Sequence, residues 1–477
     1  MLQVSDVEIE NRLRFDNPWW AAGAGIEPDF ASLPRRAYLG SFLRLVRQAE
    51  IHRAVVLLGP RRVGKTVLVY HSIQALLDSG VSGRDIVYVS LETPIFTGLT
   101  LDGLVNRFRG LFGHPAHARL YVFFDEIQYL HDWQVHLKSL VDDQRGCRFV
   151  ATGSASAALR TQSAESGAGR FTDFQLPPLT FAEYLRFIDR EAELIGAVDG
   201  VPGGYFTRDI SVLNDEFVNY LNYGGFPEAV FSRAIRANPQ RHIKSDIIDK
   251  VLLRDLPSLY GISDIQELNR LFNTLAYNTA REISLQSLST TSHVDKKTLA
   301  RYLEYLEAAF LIRRLRRVDQ DAAHFERATT FKVYLTNPAM RAALFGPVRD
   351  ADSAMGSLAE TAVFSQWLHH VALVDTLHYA RWKSGEVDLV ALDPGTQRPR
   401  FAVEVKWSDR IMSEPRELRA LMAFSRKHAL GRRPLVTTRT GGGVVKVDGT
   451  EVEFTPTSLH CYTVGKNTLE RSPPRDL

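Results

Sequence analysis

The stretch RAVVLLGPRRVGKTVLVYHSIQALL constrains this chain more than any other part of its sequence. An apolar run from Ala54 to Leu58 leads into a glycine loop, and the pattern of an amphipathic helix follows. Gly59 and Gly64 allow backbone amides to turn toward a phosphate, and the start of the helix adds positive potential there. Strand, loop and helix together predict a phosphate-binding loop, or P-loop, on an α/β sheet.

The loop also supplies two side chains that a bound nucleotide requires. Lys65 is placed for the β- and γ-phosphates, and Thr66 is placed for Mg²⁺. We therefore predict ATP and Mg²⁺ as the cofactors of this chain. The predicted nucleotide contacts are Gly59, Pro60, Arg61, Arg62, Val63, Gly64, Lys65 and Thr66, together with Asp125 of a second strand.

That second strand lies in RLYVFFDEIQYL, where a continuous apolar run is typical of a strand buried on both faces of a parallel sheet. Asp125 completes the Mg²⁺ shell, and Glu126 orients or activates the attacking water. An acidic pair that only caps a helix would explain Asp125, but not its occurrence together with a P-loop. The pair therefore predicts ATP hydrolysis rather than ATP binding alone.

A further apolar strand, CRFVATGS, ends in polar residues. In open α/β sheets, ligands lie at the carboxyl ends of the strands. The pattern resembles the AAA+ ATPases, in which a polar residue at this place is the first sensor of the nucleotide. The resemblance makes Ser154 the candidate sensor and Thr152 the second choice.

The stretches GRF, LPPLTFAEYL and NYGGFPEAV resemble the signature of a prokaryotic AAA+ family with a C-terminal domain of unknown function. The resemblance extends from about Tyr38 to Cys461, and it implies a helical lid and a homo-oligomeric ring. It also implies that Arg170, or alternatively Arg160, is an arginine finger that reaches the γ-phosphate of a neighbouring subunit. The other interpretation is that Arg170 only braces the strand after a glycine turn.

The stretch ISLQSLSTTSHVDKKTLARYLEYLEAAFLIRRLRRV predicts helix, turn, helix and strand, the order of a winged helix-turn-helix. The second helix has an apolar stripe made of Leu299, Tyr302, Leu303, Leu306 and Phe310. Basic residues on this helix and on the strand predict contacts with DNA phosphates. They are His293, Lys296, Lys297, Arg301, Arg313, Arg314, Arg316 and Arg317. The alternative is a protein–protein or interdomain spacer with a solvated basic rim.

Charged residues interrupt apolar elements near the C-terminus. Glu360 lies in a helical pattern, Asp388 in the strand-like SGEVDLVAL, and Glu404 and Lys406 in FAVEVKWSD. This order resembles the restriction-endonuclease-like PD-(D/E)xK fold. The resemblance implies that Glu360, Asp388 and Glu404 are metal ligands and that Lys406 positions or activates the attacking water. Residues 404 and 406 are two apart on a predicted strand and so face the same side.

Electrostatics favours a metal ion at this site over a salt bridge. Carboxylates forced together in an apolar sheet repel one another and lose their hydration. One lysine offsets one such charge but not three. We therefore predict a bound divalent cation, while cleavage of DNA stays open because proteins of one fold differ in function.

The bulk properties set broader bounds. A formal net charge of +3 does not by itself indicate nucleic-acid binding. Cys147 and Cys461 lie far apart and form no disulfide framework, which fits a reducing compartment. The first residues have no apolar core, and no apolar run approaches the roughly 20 residues that span a bilayer. We predict a cytoplasmic protein without a membrane partner.

The predicted fold class is α/β, with a P-loop AAA+ domain and helical lid, a winged helix-turn-helix domain and a restriction-endonuclease-like C-terminal domain. The predicted boundaries are 1–37 for an N-terminal segment, 38–180 for the ATPase core, 181–237 for the lid, 238–320 for the winged helix, 321–465 for the nuclease-like domain and 466–477 for a tail. The predicted function is ATP hydrolysis coupled to action on DNA. The alternative is a nucleotide-dependent switch or scaffold that binds protein partners and has an inert C-terminal domain.

Overall fold

The computed structural model describes residues 5–48, 50–153, 169–323 and 330–471. Contacts divide the chain into two compact units, which meet in the sequence between Leu176 and Pro177. Unit 1 is the part before this point, and unit 2 is the part from Pro177 to Ser472.

A parallel sheet forms the centre of unit 1. Among the described residues its strands are β1 (Ala54–Leu58), β2 (Ile86–Ser90), β3 (Leu120–Asp125), β4 (Cys147–Gly153) and β5 (Phe171–Gln175), in the order β2-β3-β4-β1-β5. Every pairing between neighbours is parallel. The continuous apolar run of β1 is buried at all of its positions, as expected for a strand covered on both faces. The prediction of an α/β fold with a parallel sheet is confirmed.

The N-terminal segment belongs to unit 1 and covers one edge of its sheet. Asn17 exchanges two hydrogen bonds with the backbone of Tyr88 on the edge strand β2, at 2.9 and 2.6 Å. Trp19 and Trp20 donate their indole N–H groups to the carbonyl of Ile86. These contacts satisfy backbone groups that an open edge would expose. The described helices of unit 1 are α1 (Asp6–Asp16), α2 (Pro28–Ala31), α3 (Leu39–Arg47), α4 (Lys65–Asp78), α5 (Leu101–Phe112) and α6 (Trp133–Asp143).

Unit 2 is built on a larger mixed sheet. Its described strands are β8 (Glu282–Ser284), β9 (Ile312–Val318), β10 (Thr330–Leu335), β11 (Leu377–Trp382), β12 (Gly385–Leu392), β13 (Pro399–Glu404), β14 (Leu435–Thr438), β15 (Gly443–Val447) and β16 (Thr450–Pro456). They are arranged in the order β15-β16-β14-β13-β12-β11-β9-β10-β8. A separate antiparallel pair consists of β6 (Ile195–Ala197) and β7 (Tyr205–Thr207).

Helices surround this sheet. The described ones are α7 (Phe181–Phe187), α8 (Glu191–Leu194), α9 (Ile210–Tyr223), α10 (Pro227–Phe231), α11 (Arg233–Ala237), α12 (Leu256–Tyr260), α13 (Ile265–Tyr277), α14 (Leu285–Ser292), α15 (Lys296–Ala308), α16 (Ala339–Phe345), α17 (Met355–Trp367), α18 (Val371–Val374), α19 (Arg410–Ser413), α20 (Arg419–His428) and α21 (Thr457–Arg471). Two wider helical segments, Gln240–Asp249 and Val251–Asp255, precede α12.

One hydrophobic core joins the predicted lid to the C-terminal part. Phe181 of α7 and Phe217 of α9 are buried in the same cluster as Phe364 of α17 and Tyr462 of α21. Gln366 strengthens this contact, because its side-chain oxygen accepts a hydrogen bond from the backbone N–H of Phe181 at 3.0 Å. The predicted lid, residues 181–237, therefore has no core of its own in this fold.

The sheet of unit 2 also crosses the domain boundary predicted at residue 320. β10 pairs antiparallel with β9 on one side and with β8 on the other. β9 in turn pairs in parallel with β11. The predicted boundary assigns β10 to the last domain, but its backbone hydrogen bonds place it in the hairpin that follows α15. The predicted winged-helix and nuclease-like parts therefore share one continuous sheet.

The structure also bears on the cysteines and on membrane-spanning helices. Cys147 and Cys461 are both buried free thiols. None of the described helices combines the length and the apolar character needed to cross a bilayer.

Candidate functional site

The P-loop of unit 1 connects β1 to α4. Gly64 has a φ angle of 92°, in the left-handed region that costs a residue with a side chain conformational energy. A Cβ atom on Gly59 would lie 2.3 Å from the carbonyl oxygen of Leu176, just beyond β5. Gly64 therefore suits its left-handed backbone conformation, and Gly59 suits a place with no room for a side chain.

The side chains predicted to bind phosphate and metal come together at this loop. Lys65 is 5% exposed, and its ammonium donates to the carbonyl oxygens of Gly59 and Pro60 at 3.0 Å each. Thr66 Oγ1 donates to Asp125 Oδ2 at 2.8 Å. An ammonium, a hydroxyl and a carboxylate are thus collected at the start of α4, and this donor set fits a nucleotide phosphate with Mg²⁺.

Asp125 is held by two further hydroxyl groups. It is 3% exposed, and it accepts a hydrogen bond from Tyr88 Oη at 2.8 Å. Thr152 Oγ1 donates to its other oxygen, Oδ1. Burial, together with the charge of Asp125, raises the pKa of Tyr88 well above its usual value, so this phenol remains a donor. The carboxylate is therefore fixed in one orientation beside Thr66.

Sequence reasoning missed Tyr88 and Arg36. Tyr88 lies in the apolar strand DIVYVSLE, and its hydroxyl in a buried strand was the signal. Arg36 is buried and donates to the carbonyl oxygen of Val63 at 2.8 Å. It lies just before the predicted start of the ATPase core, so no motif included it. The backbone of Arg62, another loop residue, has a φ of 64°.

Glu126 follows Asp125 at the end of β3. Its φ angle of 54° lies in the left-handed region, a strained conformation that is concentrated at functional sites. Its backbone N–H donates to Thr152 Oγ1 at 3.1 Å, and its side chain accepts a hydrogen bond from Gln128 Nε2. Thr152 therefore contacts both Asp125 and the backbone of Glu126, and Gln128 holds the Glu126 carboxylate.

The described residues include part of the predicted sensor and arginine-finger set. Thr152, the second choice as sensor, is the residue before the last one of β4 and contacts Asp125. Ser154 and the alternative finger Arg160 lie outside the described residues. Arg170 forms an ion pair with Asp142 on α6, and its carbonyl oxygen accepts from the N–H of Ala54 at 2.9 Å. These contacts match the bracing interpretation of Arg170.

In unit 2, a buried lysine lies at the centre of the predicted metal ligands. We define the acidic cluster as Lys332, Glu360, Glu386, Asp388, Glu404 and Lys406. The Lys332 side chain on β10 is 3% exposed. Its Nζ lies 2.9 Å from Glu360 Oε1, 2.8 Å from Glu386 Oε1 and 3.0 Å from Asp388 Oδ1.

The second lysine of the cluster, Lys406, lies near Glu404 and near the Asp388 oxygen that Lys332 does not contact. β13 ends at Glu404, so Lys406 lies two residues beyond the strand rather than on it. Its Nζ is 2.7 Å from Glu404 Oε1 and 3.9 Å from Asp388 Oδ2. Asp388 Oδ2 also accepts from the N–H of Val405 at 2.9 Å. Glu404 Oε2 is buried and has no hydrogen-bond partner among the described residues.

The pKa shifts follow from burial and from these charges. Burial and the neighbouring Asp388 raise the pKa of Glu360 to about 7 and also raise that of Glu404. Burial opposes the charge of Asp388, but Lys332 and Lys406 hold its pKa below the usual value. Burial also opposes the charge of Lys332, but Tyr334 and the carboxylates raise its pKa well above the usual value. Asp388 therefore carries a charge that two ammonium groups neutralise.

These residues do not fit the divalent cation that the sequence predicted. Glu360, Asp388 and Glu404 do lie in one cluster, but Lys332 Nζ bonds to Glu360 and Asp388 where a metal ion was expected. Within the described ranges, no three His, Cys, Asp or Glu residues are arranged to hold a metal ion. The prediction assumed one lysine and missed Lys332. Its signal was available, because FKVYL is also an apolar strand interrupted by a charge.

The basic residues predicted to contact DNA divide into two groups. On β9, Arg314 pairs with Glu307 at 2.6 Å, Arg313 pairs with Asp375, and Arg317 donates to the carbonyl oxygen of Arg381. Arg316 alone of these four is exposed. Since β9 lies between β10 and β11, it is not a free wing edge, and the prediction for this strand is corrected. The exposed group consists of His293, Lys296, Lys297 and Arg301, at the start of α15.

Comparisons with known families agree with the nucleotide site. Residues 51–185 match a family model described as an AAA domain. Residues 214–350 match a domain of unknown function, DUF8612. The prediction of an AAA-type nucleotide-binding domain is confirmed at this level. The second match overlaps the predicted lid, winged-helix and nuclease-like parts.

Relatives exist among curated proteins, and none of those named below has a described function. An uncharacterized protein of Methanocaldococcus jannaschii, MJ1544, is 27% identical over 262 residues, which cover 54% of this chain and 55% of that protein. An uncharacterized protein of Haemophilus influenzae is 24% identical over 372 residues, which cover 76% of this chain and 84% of the relative. The chain therefore spans about half the length of the first relative.

Solved structures of low similarity were also found. The Hsp104–ADP complex of S. cerevisiae matches with a TM-score of 0.29 and 18% identity, covering 58% of this chain and 38% of that one. AMPPCP-bound DnaA from Aquifex aeolicus matches with a TM-score of 0.30 and 13% identity, covering 59% and 92%.

Proposed function

We propose that this chain is an ATPase that hydrolyses ATP at the P-loop of unit 1. The observation that carries this proposal is the 2.8 Å hydrogen bond between Thr66 Oγ1 and Asp125 Oδ2. It joins the P-loop to the acidic strand, and Glu126 comes directly after Asp125. The experiment is a measurement of phosphate release from ATP with Mg²⁺, in the presence and absence of DNA. Absence of turnover under all of these conditions would contradict the proposal.

Each residue of the nucleotide site has its own role in hydrolysis. Lys65 replaces its contacts with the loop carbonyls by contacts with the β- and γ-phosphates, and the backbone amides of the loop surround the phosphates. Thr66 and Asp125 would hold Mg²⁺, which when bound neutralises charge that develops on the phosphates. Glu126 accepts a hydrogen bond from the attacking water and takes up its proton. Thr152 and Tyr88 keep Asp125 oriented.

We propose that Arg170 braces the sheet rather than reaching a neighbouring subunit. Arg170→Ala and Asp142→Ala should then have similar, small effects, because each removes one half-exposed ion pair. Such pairs contribute about 0.2–1 kcal/mol. Thermal unfolding and ATP turnover of both variants measure this, with the exposed Lys138→Ala as a surface control.

The arginine-finger role makes the opposite prediction for this pair. Arg170→Ala would lose most turnover while Asp142→Ala keeps it. Mixing Arg170→Ala with Asp125→Ala subunits would restore part of the activity, because one interface would then contain both intact halves. This result would replace the bracing role and would support the homo-oligomer that the resemblance implies.

We also propose that unit 2 contacts DNA through a winged helix. The supporting observation is the order of its elements: α13, β8, α14, α15, β9 and β10, with β8, β9 and β10 in one sheet. The stripe of Leu299, Tyr302, Leu303 and Leu306 is buried, and Asp295 caps α15 by accepting from two backbone N–H groups. Lys296, Lys297 and Arg301 of this helix are exposed, which suits contact with phosphates.

Neutralising the exposed face of α15 should weaken DNA binding. The variant Lys296→Ala/Lys297→Ala/Arg301→Ala should lower the affinity for DNA. It should also reduce the salt dependence of binding, because a protein that contacts fewer phosphates releases fewer counterions. The control is Arg398→Ala/Arg400→Ala/Arg432→Ala, which removes the same charge from other exposed positions of unit 2. Fluorescence anisotropy at several salt concentrations measures both variants. Equal weakening in both would show that only net charge matters.

The alternative function is a nucleotide-dependent switch or scaffold for protein partners. The occupation of the acidic cluster by Lys332 favours the inert C-terminal part that this alternative requires. Stimulation of ATP turnover by DNA would support ATP hydrolysis coupled to action on DNA. ATP-dependent association of the chain that is indifferent to DNA would support the switch.

A further inference from the structure

We propose that Lys332 is a built-in counterion that takes the place of the divalent metal ion in the nuclease-like part of unit 2. As a consequence, this part does not cleave phosphodiester bonds through a bound metal. The proposal concerns unit 2 alone and does not depend on the ATPase activity of unit 1. It rests on the position of Lys332, on its hydrogen-bond geometry and on the charges of the acidic cluster.

The ammonium of Lys332 is surrounded by carboxylates of the cluster. A lysine ammonium has three N–H donors and no acceptor. Three carboxylates lie within 2.8–3.0 Å of Lys332 Nζ, one each from Glu360, Glu386 and Asp388. Glu360 and Asp388 accept hydrogen bonds from Nζ, and Glu386 forms an ion pair with it. Because the side chain is only 3% exposed, little of the ammonium is open to a substrate. A catalytic metal ion differs in this respect, because it keeps open positions for water or for a phosphate oxygen.

Basic side chains also offset most of the charge of the cluster without a metal ion. Lys332 and Lys406 both face Asp388, and Arg381 pairs with Glu386 at 3.0 Å. Glu404 is paired with Lys406 through one oxygen. The argument for a divalent cation relied on carboxylates that one lysine could not neutralise. With three basic side chains beside four carboxylates, that excess falls to a single formal charge.

The strand that carries Lys332 explains why the lysine is held in this position. Lys332 lies on β10, which pairs with β9 and β8, whereas Asp388 lies on β12. Tyr334 on the same strand donates its hydroxyl to Glu360 Oε1 at 2.7 Å. The cluster therefore ties the strands next to α15 to the strands of the C-terminal part. The Lys332 side chain therefore cannot move away to admit a metal ion without breaking the contacts that connect these strands.

Manganese binding to the full, nucleotide-free chain tests the proposal. Electron paramagnetic resonance of free Mn²⁺ should show no bound ion at the cluster of the unsubstituted chain. Lys332→Ala removes the ammonium and opens space, so it should gain one Mn²⁺ site. Lys332→Ala/Asp388→Asn should lose that site again, and Lys406→Ala should not create it. Mn²⁺ should raise the Tm of Lys332→Ala by several degrees, since a ligand stabilises the state that binds it, and should leave the unsubstituted chain unchanged.

Two outcomes would overturn the proposal. The first is a Mn²⁺ site in the unsubstituted chain that Asp388→Asn removes, or Mn²⁺-dependent cleavage of single-stranded, duplex or branched DNA that this substitution abolishes. Both measurements use chains that keep Lys332, so they decide the question even where Lys332→Ala does not fold. The second is a folded Lys332→Ala chain, shown by circular dichroism, that gains no Mn²⁺ site. That result would mean that Lys332 does not occupy a metal position.

Discussion

Replacing Lys65 by alanine should lower the affinity for ATP by about 10- to 100-fold, because a hydrogen bond to a charged group contributes roughly 1.5–3 kcal/mol. Lys65 is buried in the loop with Gly59 and Pro60 as its partners, so its ammonium is already positioned for a phosphate. Glu126→Gln should instead bind ATP normally and lose turnover by about 10²- to 10⁴-fold, the usual contribution of a proton-transfer group. Calorimetry measures the affinity, and phosphate release measures the turnover.

The pair of variants separates binding from chemistry. Glutamine has nearly the shape of glutamate, so the contact with Gln128 can be kept while the proton acceptor is lost. Lys138→Ala serves as the control for charge, since Lys138 is exposed on α6. Equal loss of affinity in Lys65→Ala and Glu126→Gln would contradict the division of roles. Normal turnover in Glu126→Gln would assign the water to another group.

Lys332→Met should reduce the free energy of unfolding of unit 2 by about 3–5 kcal/mol, the cost of leaving buried charges unpaired. Methionine keeps most of the length of the lysine side chain, so the loss comes mainly from the missing ammonium. Lys406→Met is the matched control. Its side chain is 35% exposed, so water compensates part of the lost charge and the effect should be smaller. Urea unfolding of the full chain, followed by circular dichroism, measures both.

The loss of unfolding free energy in Lys332→Met should also depend on pH. Burial and Asp388 raise the pKa of Glu360 in the folded chain to about 7, from its usual value of 4.5. The folded state thus holds this proton more tightly than the unfolded state, so stability falls as the pH rises through this range. Without Lys332 the pKa of Glu360 rises further. The deficit should therefore be larger at about pH 8 than at about pH 5.5, and an equal deficit at both would contradict this account.

Local sequence patterns were sufficient for the nucleotide site. Lys65 and Thr66 follow directly on a glycine loop, and Asp125 and Glu126 end a continuous apolar strand. Such patterns work because neighbours in sequence are neighbours in space within a strand, a loop or a helical turn. The partners Tyr88 and Arg36 were missed because a single tyrosine or arginine carries no local pattern.

The arginines of β9 show where local patterns fail. RRLRR was interpreted as a basic wing open to phosphates. In the fold, Arg313 and Arg314 are paired with Asp375 and Glu307, and the strand is covered on both edges. Whether a basic residue is available depends on acidic residues that are distant in sequence. The exposed residues of α15 could be predicted, because one helix with an apolar stripe has its own opposite side.

The sequence by itself determined the P-loop, the acidic strand and the positions of Glu360, Asp388 and Glu404, because each depends on a pattern of a few consecutive residues. Only the tertiary structure decided what neutralises those carboxylates. Lys332 lies 56 residues before Asp388, and it reaches the cluster because β10 joins the same sheet through β9 and β11. Strand order and register result from the burial of whole faces and from backbone pairing across the sheet. These long-range contacts place an ammonium where the local pattern predicted a metal ion.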